Sequence, residues 1–136
     1  MGCILLVEAD VAISEAWAAA ITAAGHSVLT ASGMREALLL VQEGGIDVVV
    51  IDVYDPRAGV VELARGMEAL PDPPPVILIS GSPEAPEISA RIGAATFLAK
   101  PCEPSEVVTA VGRLVGRLRP VRVVDDEPTG PPRQLG

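Results

Sequence analysis

The chain is 136 residues long, the size of one compact domain; 49% of its residues are apolar and only 2% are aromatic. Aliphatic side chains must therefore fill the core, as is typical of helices packed on a buried parallel sheet. The net charge of −8 argues against nucleic acid and membrane surfaces as partners and leaves proteins and cations as candidates.

The first half of the chain alternates short apolar runs with helix-forming segments. Three apolar runs predict strands, at residues 3–7, 27–30 and 48–51. The third run is purely aliphatic, as expected of a central strand buried on both faces. An alanine-rich segment at 12–24 predicts the first helix, and Ser32 is the expected cap of the second. Residues 53–59 carry Asp, Pro and Gly and predict a loop.

The second half of the chain continues the same alternation. A helix is predicted at residues 60–70, and strands are predicted at 76–79 and 96–99. Pro86 indicates that the fourth helix begins late or has an irregular first turn, and Pro104 suits the first position of the fifth. The pattern predicts an α/β fold, a doubly wound five-stranded parallel sheet flanked by five helices. We expect one domain at 1–119 and a disordered Pro/Gly-rich tail at 120–136.

Polar side chains stand where four of the five predicted strands end. They are Glu8, Asp52, Ser80 and Lys100, with Asp10 just beyond the first. Taken singly, a strand-end Asp is usually a turn former or helix cap, and a lone Lys is a solvated charge. Ligand sites of doubly wound sheets form at this edge, and two carboxylates with a lysine and a hydroxyl suit a phosphoryl group beside Mg²⁺.

The two cysteines and the lengths of the apolar runs indicate the redox state of the thiols and the cellular location. Cys3 and Cys102 match no zinc or redox spacing, so we expect free thiols. No apolar run has the length of a membrane span and no export leader precedes Cys3, so the expected location is the cytoplasm.

Four segments together resemble the bacterial response-regulator receiver family, over roughly residues 3–118. They are "ILLVEAD" at 4–10, "DVVVIDVYDPRAG" at 47–59, "VILIS" at 76–80 and "GAATFLAKP" at 93–101. The resemblance implies the flavodoxin-like receiver fold and a signalling module of a two-component phosphorelay rather than an enzyme. It implies that Asp52 is phosphorylated by a histidine kinase or a phosphotransfer protein.

The resemblance also implies roles for the other site residues. Lys100 would pair with the phosphoryl group, Ser80 would bond it and move inward, and Phe97 would hold the aromatic switch position. The backbone carbonyl of Tyr54 would join Glu8 and Asp52 as a Mg²⁺ ligand. A cis bond before Pro101 is implied as well. The downstream partner would bind the face formed by the fourth helix, fifth strand and fifth helix.

Two departures from the family pattern concern the metal. The acidic pair of the family falls on Glu8 and Ala9, so one carboxylate is missing, and Asp10 is only a tentative substitute. The segment from Asp52 to Gly59 is also about one residue short. Loss of a charged ligand predicts weaker Mg²⁺ binding.

Three hypotheses follow for the function. The favoured one is a stand-alone phosphoreceiver that acts through another protein, because Asp52, Ser80 and Lys100 are all present. The alternative is a degenerate pseudo-receiver that binds proteins without being phosphorylated. A small nucleotide-binding or flavodoxin-like enzyme is disfavoured, since no Gly-rich or hydroxyl-rich loop follows the first strand.

Overall fold

The computed structural model describes residues 1–118, in which five strands and five helices alternate. The elements are β1 (Cys3–Val7), α1 (Val11–Ala23), β2 (Ser27–Ala31), α2 (Met34–Glu43), β3 (Val48–Asp52), α3 (Val60–Glu68), β4 (Val76–Ser80), α4 (Ala85–Ile92), β5 (Thr96–Ala99) and α5 (Pro104–Leu118). The predicted tail at 120–136 lies outside the described residues, as does residue 119.

The five strands form one parallel sheet in the order β2-β1-β3-β4-β5. The chain runs outward from β1 to β2 and then returns across β1 to β3, so the strand order reverses between β1 and β3. Helices α1 and α5 pack on one face, and α2, α3 and α4 pack on the other. The predicted doubly wound fold is confirmed, and the reversal point is where such sheets place ligands.

The aliphatic sequence of β3 explains its central position in the sheet. In β3 the residues Val48 to Ile51 are all within 1% of complete burial. Val48 and Val50 contribute to the core beneath α1 and α5, while Val49 and Ile51 contribute to the core beneath α2, α3 and α4. A strand can be apolar at every position only when both of its faces are covered, which is the situation of β3.

The helix caps differ in part from the sequence-based expectation. Asp10 caps α1, since its side chain accepts the Ile13 amide at 3.0 Å. The prediction that Ser32 caps α2 is wrong: the cap residue is Gly33, and no side chain bonds the first turn. The Ser32 amide instead donates to the Glu36 carboxylate at 3.0 Å, because Glu36 reaches back over the turn.

Helices α3 and α4 begin as the sequence indicates. Helix α3 starts at Val60 but ends at Glu68, two residues before the predicted end at Leu70. Helix α4 starts only at Ala85, with Pro86 in its first turn, which confirms the late start. These limits leave two loops, β3–α3 and β4–α4, at the sheet edge where the strands end.

Candidate functional site

Asp52 is the last residue of β3 and lies at the reversal point of the sheet. The residue is 3% exposed, and its side chain is fully buried. Its Oδ1 lies 2.7 Å from Nζ of Lys100, which follows β5 and keeps 36% of its side chain exposed. A buried carboxylate is costly unless a cation accompanies it, and Lys100 supplies that cation at the edge of the core.

Glu8 stands beside Asp52, directly after β1. It reaches this position because Val7 of β1 pairs with Ile51 of β3, which brings the two strand ends level. The pKa of Glu8 is raised to about 7, first by burial and then by the adjacent Asp52 carboxylate, which favours the protonated form of Glu8. The Asp10 amide, which donates to Glu8 Oε2 at 2.8 Å, and the charge of Lys100 act in the opposite direction.

Three buried carboxylate oxygens here accept no hydrogen bond from any residue within 1–118. They are Glu8 Oε1 and both carboxylate oxygens of Asp52, of which Oδ1 has only the ion pair with Lys100. Buried oxygens of two adjacent carboxylates without donors form an arrangement that a hard cation would complete.

Ser80 ends β4 next to Asp52 and is 1% exposed. Its hydroxyl donates to the backbone carbonyl of Tyr54 at 3.1 Å and accepts the Ser82 amide at 3.1 Å. The Ser80 hydroxyl is thus committed to two backbone groups in this conformation. To donate a hydrogen bond to a group attached to Asp52, the hydroxyl would have to turn away from the Tyr54 carbonyl oxygen. The resemblance assigns that oxygen to the metal.

A set of polar contacts that the sequence did not predict links the β3–α3 loop to the β4–α4 loop. Arg57 makes a two-point ion pair with Asp55, at 3.1 and 3.2 Å, and lies 3.9 Å from Glu84. Glu84 in turn accepts the Ser82 hydroxyl at 3.2 Å. Asp55 and Arg57 are near neighbours in one loop, whereas the adjacency of β3 and β4 brings Glu84 to them.

Asp10 and Ala9 lie at the mouth of the same site. Asp10 is exposed, and one of its oxygens is occupied in capping α1. Among residues 1–118 no cluster of three or more His, Cys, Asp or Glu side chains is placed to hold a metal ion. Within this part of the chain, Glu8 and Asp52 are not joined by a third side chain of these types.

The remaining predicted features lie on or after β5. Phe97 is half-buried in β5 and packs against the core beneath α2, α3 and α4. The bond between Lys100 and Pro101 is cis, as the resemblance implied. Cys3 and Cys102 are both free thiols, as expected.

Within residues 1–118, no helix has the length and apolar character needed to cross a lipid bilayer.

Comparison with known proteins decides the family. The family model described as "Response regulator receiver domain" matches residues 4–112. The chain belongs to this family. Receiver domains are in general signalling modules of two-component systems rather than catalytic enzymes, and they generally bind Mg²⁺ at the phosphorylation site.

Relatives of known sequence and structure agree with this assignment. The response regulator MprA of Mycolicibacterium vanbaalenii is 31% identical over 119 residues, which cover 86% of this chain and 52% of the relative. The chain thus spans about half the length of the curated relatives it matches. The receiver domain of the Francisella response regulator 1452 superposes with a TM-score of 0.77 at 25% identity, covering 88% of this chain and all of the other.

A third similar protein is the chemotaxis protein CheY4 of Vibrio cholerae. Its TM-score is 0.72 at 27% identity, covering 84% of this chain and 98% of the other. The receiver fold inferred from the sequence is confirmed by both structures.

Proposed function

We propose that this receiver domain is a phosphoreceiver in which Asp52 accepts a phosphoryl group from a histidine kinase or a phosphotransfer protein. The observation that carries the proposal is the buried Asp52 carboxylate with Lys100 Nζ at 2.7 Å. Both stand at the edge where parallel sheets of this order bind ligands. Burial keeps water away from the carboxylate, and the lysine supplies positive charge where an incoming phosphoryl group would bring negative charge.

The transfer step requires little of the protein beyond positioning. A carboxylate oxygen of Asp52 attacks phosphorus, the bond from phosphorus to the donor breaks, and the donor leaves with the bonding electrons. Lys100 then pairs with the transferred phosphoryl group as well as with the carboxylate. The Ser80 hydroxyl turns from the Tyr54 carbonyl to a phosphoryl oxygen, which couples the phosphorylation state to the β4–α4 loop.

The donor set suits Mg²⁺, which would neutralise the charge that gathers on the phosphoryl oxygens. Glu8, Asp52 and the Tyr54 carbonyl would hold the ion, and the unpartnered oxygens of the two carboxylates support this assignment. Asp10 is a poorer candidate because it caps α1. We expect weaker affinity than in a site with three acidic residues, since position 9 is alanine.

Signalling would pass through contacts with another protein. Phe97 lies on β5 and packs against the core beneath α2, α3 and α4, and in this proposal it carries a rearrangement at Ser80 to the face formed by α4, β5 and α5. A negatively charged chain is a poor ligand for nucleic acid, and we propose a protein as the downstream partner, in the cytoplasm.

Beryllofluoride and a small phosphodonor test the proposal directly. The protein is incubated with either reagent and millimolar Mg²⁺, and adducts are measured by intact mass and by fluorine NMR. We expect an adduct on the wild type and on Asp55→Asn, which removes an exposed carboxylate of the neighbouring loop, and none on Asp52→Asn. No adduct on the wild type would favour the phosphorylation-independent pseudo-receiver instead.

A further inference from the structure

A cavity of about 490 Å³ opens directly beside Asp52 and Lys100. Its walls are formed by the ends of β1 and β3, the start of α2 and the β3–α3 loop. Five charged residues line it, Glu8, Asp10, Asp52, Asp55 and Lys100. Most of the other lining side chains are apolar, among them Ala9, Val53, Met34 and Ala58. A phosphoryl group needs only the polar end, so the apolar part of the cavity is left for another group. Its volume lies in the range of small-molecule pockets.

The cavity is wide because the residues on its rim are small. Ala58 lines the cavity from the β3–α3 loop and is exposed. Gly33 lines it from the residue before α2, and a Cβ built on it would meet no atom within 4 Å. Ala9 is exposed at the mouth, at the position where the family pattern has a carboxylate. Three small residues on three chain segments therefore keep open the space next to the phosphoacceptor.

The direction of the cavity matches the path of a leaving group. In phosphoryl transfer the attacking and leaving atoms lie roughly in line on opposite sides of phosphorus. The Asp52 carboxylate is at the buried base, so the leaving group must point outward, along the apolar walls. An acyl phosphate carries its acyl group at that position, and an apolar acyl group would lose water-exposed surface on those walls.

We propose that Ala58 and Gly33, by leaving this cavity open, give the reaction at Asp52 a preference for acyl phosphates with bulky, apolar acyl groups. The inference rests on the proposed function of Asp52. In the reaction an Asp52 oxygen forms a bond to phosphorus, the bond from phosphorus to the acyl oxygen breaks, and the carboxylate leaves with the electron pair. No further reactant and no proton are required.

Filling the cavity tests the preference. Phosphorylation rates with acetyl phosphate and benzoyl phosphate are measured by intact mass in the wild type, Ala58→Leu and Gly33→Leu. Position 33 tolerates leucine because its φ of −158° is extended backbone. Ala19→Leu, at an exposed position on α1 that does not line the cavity, is the matched control.

We expect the ratio of the benzoyl to the acetyl rate to fall about tenfold in both cavity variants, which corresponds to about two CH₂ groups no longer buried. The ratio should be unchanged in the control. Comparing this ratio between proteins cancels the intrinsic reactivities of the two donors, and retained beryllofluoride binding shows that the variants are folded. An unchanged ratio in both cavity variants would overturn the inference.

If the proposed function is wrong, the phosphorylation experiment gives a different result from the one expected when only the cavity assignment is wrong. If neither donor modifies the wild type, benzoylmethylphosphonate, which cannot transfer its phosphoryl group, is titrated into the same four proteins by calorimetry. Binding that is about tenfold weaker in the cavity variants than in the control would support the cavity as an acyl site although Asp52 is not phosphorylated. Equal binding, or none, would refute the cavity assignment.

Discussion

Replacing Glu8 with glutamine should stabilise the protein at alkaline pH. With EDTA present to remove divalent cations, Glu8 and Asp52 repel each other whenever both are ionised. The pKa of Glu8 in the folded protein is about 7, against an ordinary value of 4.5. The folded state therefore holds the proton more tightly than the unfolded state. The stability from protonated Glu8 is complete below pH 4.5 and is lost as the pH rises through 7.

The size of the effect follows from this shift. A displacement from 4.5 to about 7 corresponds to at most about 3 kcal/mol, since one pKa unit is worth about 1.4 kcal/mol. Glu8 is only half-buried, and solvent screens its interaction with Asp52, which reduces the expected effect to about 1 kcal/mol. Glutamine is uncharged at every pH and lacks the repulsion. Glu8→Gln should therefore exceed the wild type by about 1 kcal/mol at pH 8, and the difference should shrink toward pH 5.

Urea unfolding at pH 5, 6, 7 and 8 measures this difference. Trp17 is the only tryptophan and is 8% exposed, so its fluorescence reports on loss of the core beneath α1 and α5. Glu15→Gln, at an exposed position on α1, controls for the removal of one negative charge from an acidic protein. A Glu8→Gln protein no more stable than the wild type at pH 8, or a gain equally large at pH 5, would refute the reasoning.

Three further predictions concern the metal, the ion pair and the loop before α3. Ala9→Asp should tighten Mg²⁺ binding about tenfold or more in calorimetry by restoring a carboxylate, and unchanged affinity would show that this position does not face the ion. Lys100→Met should lower the free energy of unfolding measured in urea by about 2 kcal/mol, because Asp52 is left buried without a cation. An equal loss of stability when Lys100→Met is made in the Asp52→Asn variant would contradict this reason. Gly59→Ala should cost about 1–2 kcal/mol in thermal unfolding, since φ is +92° and the new Cβ would lie 2.8 Å from Met34 Cγ; an unchanged melting temperature would argue against this strain.

Several features of the site could be predicted from local sequence. Asp52, Ser80 and Lys100 each stand at the end of a short predicted strand, and parallel strands of a doubly wound sheet end at a common edge. The proximity of these three side chains could therefore be predicted without the tertiary structure. The pairing of Lys100 with Asp52 at 2.7 Å agrees with this expectation.

Other features depend on contacts between segments that the sequence does not connect. Ser32 carries the hydroxyl of a helix cap, yet Glu36 bonds its amide and the cap falls on Gly33. From the sequence, the Asp10 carboxylate could either bind a metal ion or cap a helix, and in the fold it caps α1. In both cases the side chain has two local hydrogen-bonding patterns open to it, and the geometry of the surrounding chain decides between them.

By itself, the sequence determined the order of strands and helices, the burial of β3 and the edge at which Asp52 stands. These properties follow from the period and length of apolar runs, which act locally. The tertiary structure alone decided that Glu8 lies against Asp52 with a pKa of about 7, that the Ser80 hydroxyl is held by the Tyr54 carbonyl, and that an apolar cavity opens beside the phosphoacceptor. Each of these depends on the distance between different strands and loops, which is fixed only when the sheet and its helices pack together.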